Sequence, residues 1–231
     1  MINTPTIIGL TGHAGAGKDT VASIILDAYT GDGIAVAFAD ALRLEVCAAF
    51  DVYTHTLSCR QTKEKPLPDL ALDHCNDERF VRRMTEHYAS GLREGGIDGE
   101  VLDTAAPRSP RQIMQWWGTE YRRHGAPGYW LDKMRERLAR NTTAHGVGLI
   151  VITDVRFADE AALVRSLGGR LVQIVRPGTG GGAGRHESET AGSEFAPDAA
   201  VDNSGTVQDL RGEVIAQLHE LFPGRVAYED A

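Results

Sequence analysis

A short glycine-rich stretch, GHAGAGKDT at residues 12–20, has the spacing needed to bind phosphate. Gly12 is followed by four residues and then by Gly17 and Lys18. Glycines allow successive backbone N–H groups to converge on an anion where a Cβ would obstruct them, and the lysine supplies a mobile cation. The spacing therefore indicates a P-loop that binds the phosphates of a nucleotide, with an ordinary glycine-rich turn as the alternative.

The residue after the lysine departs from the general P-loop signature. Asp19 stands where serine or threonine is usual, and Thr20 comes one place later. A hydroxyl that would ligate Mg²⁺ directly is therefore missing at that position.

Two further carboxylates follow predicted strands. Asp154 ends the apolar run of VITDVRF, where it could hold hydrated Mg²⁺ or a substrate hydroxyl. Capping of the following helix is the alternative for this side chain. Asp40, in AFADALR, has the same placement after the second predicted strand and is open to the same interpretations.

A set of arginines could stabilise a phosphoryl group during its transfer, because that reaction needs cations near the equatorial oxygens of the moving group. Each adjoins a glycine-rich segment, a strand end or a helix start, although any one of them could be a solvated surface cation. An acceptor that is itself a phosphate monoester has a second pKa of about 6, so it needs no catalytic base at neutral pH. The set is Arg111, Arg156, Arg176 and Arg185.

The elements that must position these residues alternate between strands and helices. An apolar run at residues 6–10 predicts a strand before the P-loop, and helical spacing follows it from Val21 to Ala28. Helices are also predicted at residues 157–167 and 207–221. The other strand candidates are residues 34–39, 148–153, 170–175 and 199–202.

This alternation predicts an α/β fold, with a sheet of about five parallel strands flanked by helices. Ligands of such sheets gather at the carboxyl ends of the strands. The P-loop, Asp40, Asp154 and Arg176 all follow strand ends, so we expect them to surround one crevice where two phosphate-bearing molecules meet.

Residues 42–140 contain no clear strand and are predicted to be a mostly helical insertion. Ser109 and Pro110 are suited to begin a helix, as N-cap and first-turn proline. At helical spacing, one side of this helix is apolar and is predicted to be core: Ile113, Trp117 and Tyr121. A different, polar side is the candidate for function: Arg111, Gln115, Gly118 and Arg122.

Composition limits the remaining possibilities. With 231 residues and 42% hydrophobic residues, the chain is predicted to form a single domain over residues 1–231. A formal net charge of -8 argues against nucleic acid or an anionic membrane as a partner. The three cysteines form no close metal-binding pair, and neither a membrane span nor a signal peptide is recognisable, so a cytoplasmic location is expected.

Several segments match one family, in the family's order: GHAGAGKDT at 12–20, FADALR at 38–43, RQIMQWWGT at 111–119, TDVRFADEA at 153–161, RLVQIVRPG at 170–178, RHESE at 185–189 and VDNSGTVQDL at 201–210. On these motifs the chain resembles the phage-type deoxynucleoside monophosphate kinases, a branch of the P-loop nucleoside and nucleotide kinases. Only residues 44–108 lack a matching segment. An aspartate after the P-loop lysine is ordinary in this family, and a phage-encoded chain would act in the host cytoplasm.

The resemblance implies ATP and Mg²⁺ as cofactors. Asp19 and Asp154 would lie near the metal, and Asn203 and Gly205 would form the turn that borders the adenine. The residues implied to hold the ATP phosphates are Gly12, Ala14, Gly15, Ala16, Gly17, Lys18, Asp19 and Thr20.

The resemblance also implies a deoxynucleoside monophosphate as the acceptor and a lid at residues 177–196 that closes over the transferring group and excludes water. The implied catalytic residues are Lys18, Arg111, Arg156, Arg176, Arg185 and Asp154, with Arg176 and Arg185 as lid cations. The implied acceptor-binding residues are Asp40, Arg43, Arg111, Gln115, Gly118, Thr119, Trp130, Asp154 and Arg156, together with His186 and Glu189 from the lid.

Two other functions stay open at this point. The first is a kinase of the same architecture that acts on a different acceptor, such as a modified pyrimidine in a nucleotide or in DNA, or a coenzyme precursor. A hydroxyl acceptor would make Asp40 or Asp154 a catalytic base. The second is a nucleotide-binding switch without transfer chemistry. Trp116 and Trp117, interpreted as exposed, would serve either a homodimer interface or the core.

Overall fold

The computed structural model describes residues 4–59, 61–94, 102–179 and 195–223. The chain divides into two compact units. The first unit comprises residues 1–38 and 131–231, and the second comprises residues 39–130. A single domain over the whole chain stays a prediction.

Five parallel strands form the sheet of the first unit. They are β1 (Thr6–Thr11), β2 (Gly33–Val36), β3 (Leu149–Ile152), β4 (Arg170–Val175) and β5 (Ala199–Asp202). Their order across the sheet is β2-β3-β1-β4-β5, so the strand before the P-loop is the central one. The α/β fold with a five-stranded parallel sheet is confirmed.

Most of the helices lie between strands along the chain. In chain order, the helices are α1 (Lys18–Ala28), α2 (Phe38–Phe50), α3 (Thr54–Ser58), α4 (Glu78–Glu94), α5 (Pro110–Gln115), a π-helical segment (Trp116–Arg123), α6 (Tyr129–His145), α7 (Ala158–Ser166) and α8 (Val207–Leu221). None of the helices in the described ranges is both long enough and apolar enough to cross a lipid bilayer.

One apolar core of the first unit joins the sheet to α1 and α8. All side chains of β3 are buried, as expected of a parallel strand that is covered on both faces. The spacing of apolar residues in α1 and α8 puts one face of each helix against the sheet. Members of this core include Ile8, Leu10, Val21, Ile25, Leu210 and Val214.

The second strand is shorter than the sequence predicts. The prediction extended it over residues 34–39, whereas β2 ends at Val36 and α2 already begins at Phe38. The Phe38 N–H donates to the Asp154 Oδ1 at 2.8 Å, so a carboxylate from another part of the chain satisfies the first turn of α2. The prediction was wrong here because an apolar run does not distinguish strand from helix and the capping partner is distant in sequence.

Aromatic side chains form the core of the second unit. The Phe80 ring lies 4.6 Å from the Trp117 ring and 6.2 Å from the Phe50 ring, measured between centroids. Trp116 and Trp117 are 6% and 1% exposed, so they belong to the core, which is one of the two roles left open for them. The core prediction for Ile113 and Trp117 is confirmed, and the description of the two tryptophans as exposed was wrong. The homodimer that this interpretation allowed stays a prediction.

The helix that begins at Pro110 changes its periodicity. The Ser109 side chain accepts a hydrogen bond from the Gln112 N–H at 3.2 Å, which confirms the predicted N-cap. From Trp116 to Arg123 the segment is π-helical, so its backbone hydrogen bonds join residues five positions apart instead of four. The predicted polar stripe therefore does not persist: Gly118 is buried, whereas Arg111 and Arg122 are half-buried.

Candidate functional site

The P-loop, defined here as residues 12–18, adopts backbone conformations that require glycine. Gly12 has φ +136° and Gly17 has φ +100°, both in the region that disfavours side chains. A Cβ at Gly12 would lie 2.5 Å from the Ile174 carbonyl oxygen, and one at Gly17 would lie 2.4 Å from the Asn203 Nδ2. The loop thus packs tightly against the end of β4 and the residue that follows β5, while its outer residues Ala14 and Gly15 are exposed.

Lys18 turns back over its own loop. Its Nζ donates to the carbonyl oxygens of Gly12 at 2.7 Å and of His13 at 2.9 Å. Burial lowers the pKa of Lys18, the nearby charge of Arg156 adds to this effect, and Asp19 and Asp154 oppose it. Two neutral loop carbonyls are therefore the hydrogen-bond acceptors of the ammonium group, and a phosphate that entered the loop would be a stronger acceptor.

Asp154 and Arg156 follow β3 and act electrostatically on Lys18. Asp154 accepts the Phe38 N–H, so part of its role is to cap a helix, although α2 rather than the following helix. The backbone N–H groups of Arg156 and Phe157 donate to the Glu160 Oε2 at 2.9 and 3.2 Å. This carboxylate, 4% exposed, fixes the turn that carries Arg156.

The described residues contain no group of three or more His, Cys, Asp or Glu side chains that could hold a metal ion. Mg²⁺ that arrives with a nucleotide needs only one or two carboxylates, because phosphates and water supply its other ligands. Asp19 and Asp154, whose charges both reach Lys18, fit that requirement.

The segment after β5 contacts the P-loop directly. The Asn203 Nδ2 donates to the Ala16 carbonyl oxygen at 2.7 Å, and the Asn203 N–H donates to the Val175 carbonyl oxygen at 2.7 Å. Asn203 therefore connects the loop to the end of β4, a contact that the sequence did not reveal. Gly205 is exposed beside Asp209, and Arg176 is exposed at the end of β4.

Two of the predicted acceptor-binding arginines in the second unit contact carboxylates. The Arg43 Nη1 lies 2.9 Å from the Asp40 Oδ1, within the first turns of α2. The Arg111 Nε lies 2.5 Å from the Glu64 Oε1, and the Arg111 N–H donates to the Lys63 carbonyl oxygen at 2.9 Å. A negatively charged group is thus already present beside the guanidinium group of Arg111.

The remaining predicted acceptor residues of the second unit lie close together. The Trp130 Nε1 donates to the Gly118 carbonyl oxygen at 2.9 Å, and both residues are buried. Thr119 is 5% exposed, and Gln115 is half-buried at the end of α5. Burial limits what Thr119 and Trp130 can offer to a ligand, so their roles as direct contacts stay predictions.

Some of the predicted site residues lie outside the described residues. They are the lid residues Arg185, His186 and Glu189, together with most of the predicted lid at 177–196. Gly178 and Thr179 are described, and the Thr179 hydroxyl donates to the Arg176 carbonyl oxygen at 2.6 Å.

The model of the deoxynucleotide monophosphate kinase family matches residues 31–214. The chain belongs to this family. The match begins after the P-loop, so the geometry of the loop is a separate indication, and what it indicates is binding of nucleotide phosphates. Membership of this kinase family also implies the use of ATP and of nucleotide substrates.

A viral protein matches this deoxynucleotide monophosphate kinase family member over most of its length. It comes from Acanthamoeba polyphaga mimivirus and carries the provisional name deoxynucleotide monophosphate kinase. The two sequences are 26% identical over 210 residues, which cover 91% of this chain and 94% of the viral protein.

Solved structures of two kinases were also found by their similarity to this family member. An unliganded sugar kinase from Janibacter sp. HTCC2649 has a TM-score of 0.40 and 13% identity, covering 96% of this chain and 98% of that one. Dephospho-CoA kinase from Campylobacter jejuni has a TM-score of 0.38 and 12% identity, covering 94% and 98%. Neither score is high enough to support an argument about the site.

Sequence reasoning missed two carboxylates in this kinase. Glu160 closes the turn around Arg156 by accepting the Phe157 N–H, which is one half of a capping box. Phe157 lacks the Ser or Thr hydroxyl of the other half, so the sequence did not carry the full signal. Glu45 accepts hydrogen bonds from Trp117, Arg122 and Tyr129, which are 72, 77 and 84 residues away along the chain. No local pattern could have indicated Glu45.

Proposed function

We propose that the protein transfers the γ-phosphoryl group of ATP to a deoxynucleoside 5′-monophosphate, giving ADP and a deoxynucleoside diphosphate. The main support is the P-loop, whose glycines adopt positive φ and whose Lys18 is held over the loop by two backbone carbonyls. Membership of the deoxynucleotide monophosphate kinase family supports the choice of acceptor.

In this proposal the backbone N–H groups of the P-loop and the N-terminus of α1 bind the β- and γ-phosphates of ATP. Lys18 shifts from the carbonyls of Gly12 and His13 towards the phosphate oxygens, because an anion is a stronger partner than a peptide carbonyl. Mg²⁺ bound with ATP would neutralise charge on the phosphates, with Asp154 and Asp19 near its hydration shell. Asn203 keeps the loop in position through Ala16.

The acceptor needs orientation more than activation. A phosphate monoester has a second pKa of about 6, so at neutral pH its oxygen is already a competent nucleophile. We propose that Asp40, Arg43 and Arg111 bind the monophosphate, which would replace Glu64 as the anion beside Arg111. Lys18 and Arg156 would stabilise the negative charge of the phosphoryl group during its transfer. Arg176 and Arg185 would add positive charge as the proposed lid cations.

A product screen tests the proposal. Purified protein is incubated with ATP, with Mg²⁺ or with excess chelator, and with each natural deoxynucleoside and ribonucleoside monophosphate, and the products are separated. At least one deoxynucleoside diphosphate should form with Mg²⁺ and be lost with chelator. Failure to form a diphosphate from any of them would contradict the proposal.

The same screen distinguishes a hydroxyl acceptor when modified pyrimidine nucleotides and single-stranded DNA are included. A hydroxyl acceptor requires a base, so Asp40→Asn or Asp154→Asn would abolish the transfer rather than weaken binding alone. A phosphate acceptor needs no base, so it predicts that both variants retain measurable turnover.

A further inference from the structure

Glu45 occupies a central place in the second unit. It lies in α2, five residues after Asp40 and two after Arg43. The Trp117 Nε1 and the Arg122 Nε each donate to its Oε2 at 2.9 Å, and the Tyr129 hydroxyl donates to its Oε1. One carboxylate therefore connects α2, the π-helical segment and the start of α6.

The partners of Glu45 also contact one another. The Arg122 guanidinium carbon lies 4.4 Å from the Tyr121 ring centroid, 5.0 Å from that of Tyr129 and 5.5 Å from that of Trp117. Arg122 and Glu45 are only 26% and 21% exposed, so this ion pair is better shielded from solvent than a surface pair. Burial, and after it the hydrogen bond and the charge of Glu45, raise the pKa of Tyr129 to about 12, which keeps its hydroxyl a donor.

Each element held by Glu45 carries residues that we assign to the acceptor. Trp117 and Tyr129 immediately precede Gly118 and Trp130, which are joined by the 2.9 Å hydrogen bond from the indole N–H to the carbonyl oxygen. Leu42, three residues before Glu45, contacts the other side of Gly118, where a Cβ would lie 3.1 Å from its Cδ2. A shift of Glu45 would therefore move Gly118 and Trp130 relative to Asp40 and Arg43.

The π-helical segment explains why such an anchor is needed. A π-helix is rare and occurs mostly as single turns, often at functional sites. Here it places Trp117 and Arg122, five residues apart, on the same carboxylate, which matches the five-residue hydrogen-bonding period of a π-helix. The network gives the Trp117 indole N–H a hydrogen-bond acceptor beside an aromatic core.

From this geometry we infer that Glu45 is a positioning residue that fixes the acceptor-binding elements of the second unit relative to one another. The inference rests on the proposed function, because it concerns binding of the monophosphate acceptor. Glu45 itself need not touch the substrate.

The test compares Glu45→Gln with wild type and with the matched control Glu86→Gln, an equally conservative change at an exposed position of α4. Kinetics are measured for ATP and for the monophosphate that the wild type uses best. Glu45→Gln should raise the KM of the acceptor about tenfold, since small misplacements of binding groups are costly, and should change the KM of ATP less than about twofold. Glu86→Gln should change neither.

A purely structural role would give a different result. In that case Glu45→Gln would lower the melting temperature while the folded protein kept the wild-type KM for the acceptor, and the inference would be overturned. If Glu45→Gln does not fold, Tyr129→Phe tests the inference instead, because it removes only one donor hydroxyl. It should raise the KM of the acceptor about threefold through the loss of one hydrogen bond. An unchanged KM in Tyr129→Phe would then overturn the inference. A wild type without any acceptor turnover would instead contradict the proposed function.

Discussion

Replacement of Lys18 should separate activity from stability. In Lys18→Ala we expect the P-loop backbone to keep its glycine conformations, while the cation that we propose to bind the phosphates is lost. Removal of one preorganised electrostatic contact typically lowers turnover by roughly 10²- to 10³-fold, or about 2.7–4 kcal/mol of transition-state stabilisation. We expect kcat/KM for ATP to fall within that range.

The effect on folding should be small because opposing contributions nearly cancel. The variant loses two hydrogen bonds to the carbonyls of Gly12 and His13, and it also relieves the burial of a cation whose pKa is lowered mainly by desolvation. The free energy of unfolding should therefore change by less than about 1 kcal/mol. Lys133→Ala is the control, because the Lys133 side chain is 40% exposed on α6 and lies 4.0 Å from the Glu136 Oε2, and it should leave activity unchanged.

The assays are initial rates at varied ATP and urea unfolding followed by intrinsic fluorescence. Near-normal turnover in Lys18→Ala would contradict the proposed phosphate-binding role of the P-loop. A loss of activity that merely parallels a loss of several kcal/mol of stability would show that Lys18 acts as a structural residue.

Further predictions concern the P-loop and its support. Asn203→Ala should raise the KM of ATP several-fold and cost about 1 kcal/mol of unfolding free energy, since the bond to the Ala16 carbonyl oxygen is lost; an unchanged KM in steady-state kinetics would contradict this. Gly17→Ala should lower the free energy of unfolding by about 1–3 kcal/mol in urea because of the positive φ at this position. The loss should be smaller in an Asn203→Ala background, because the new Cβ would otherwise lie 2.4 Å from the Asn203 Nδ2. Strictly additive losses in the double variant would refute this clash. The pKa of Lys18 lies below its ordinary value of 10.5, so on raising the pH this ammonium loses its proton earlier than that of an exposed lysine. The kcat/KM for ATP should decline over the same, lower pH range. In Lys18→Arg this alkaline decline should move to higher pH in a pH–rate profile, since guanidinium stays charged, and an identical profile would assign the decline to another group.

The local chemistry of the sequence was sufficient to predict the P-loop and the sheet. Gly12, Gly17 and Lys18 define the loop by residue type and spacing, and short apolar runs between helical patterns define buried parallel strands. The cap of Ser109 on α5 was predictable for the same reason, since the hydroxyl and its N–H partner are only three residues apart.

The features that escaped prediction depend on contacts between distant parts of the chain. The start of α2 at Phe38 uses the carboxylate of Asp154, 116 residues away. Glu64, which contacts Arg111, is 47 residues away from it in the chain. The sequence therefore suggested that the Arg111 guanidinium faces the crevice, whereas the fold places the Glu64 carboxylate beside it. The π-helical turn at Trp116 interrupts an α-helical period that the residues alone would continue.

The second unit is one uninterrupted stretch of chain, residues 39–130, whereas the first is assembled from the segments on either side of it. A single exchange of coding sequence between relatives can therefore replace every second-unit residue that we assign to the monophosphate and leave the P-loop untouched. If the roles divide as proposed, recombination of this one segment could change which base of the acceptor nucleotide is preferred, while the P-loop that binds ATP is inherited unchanged.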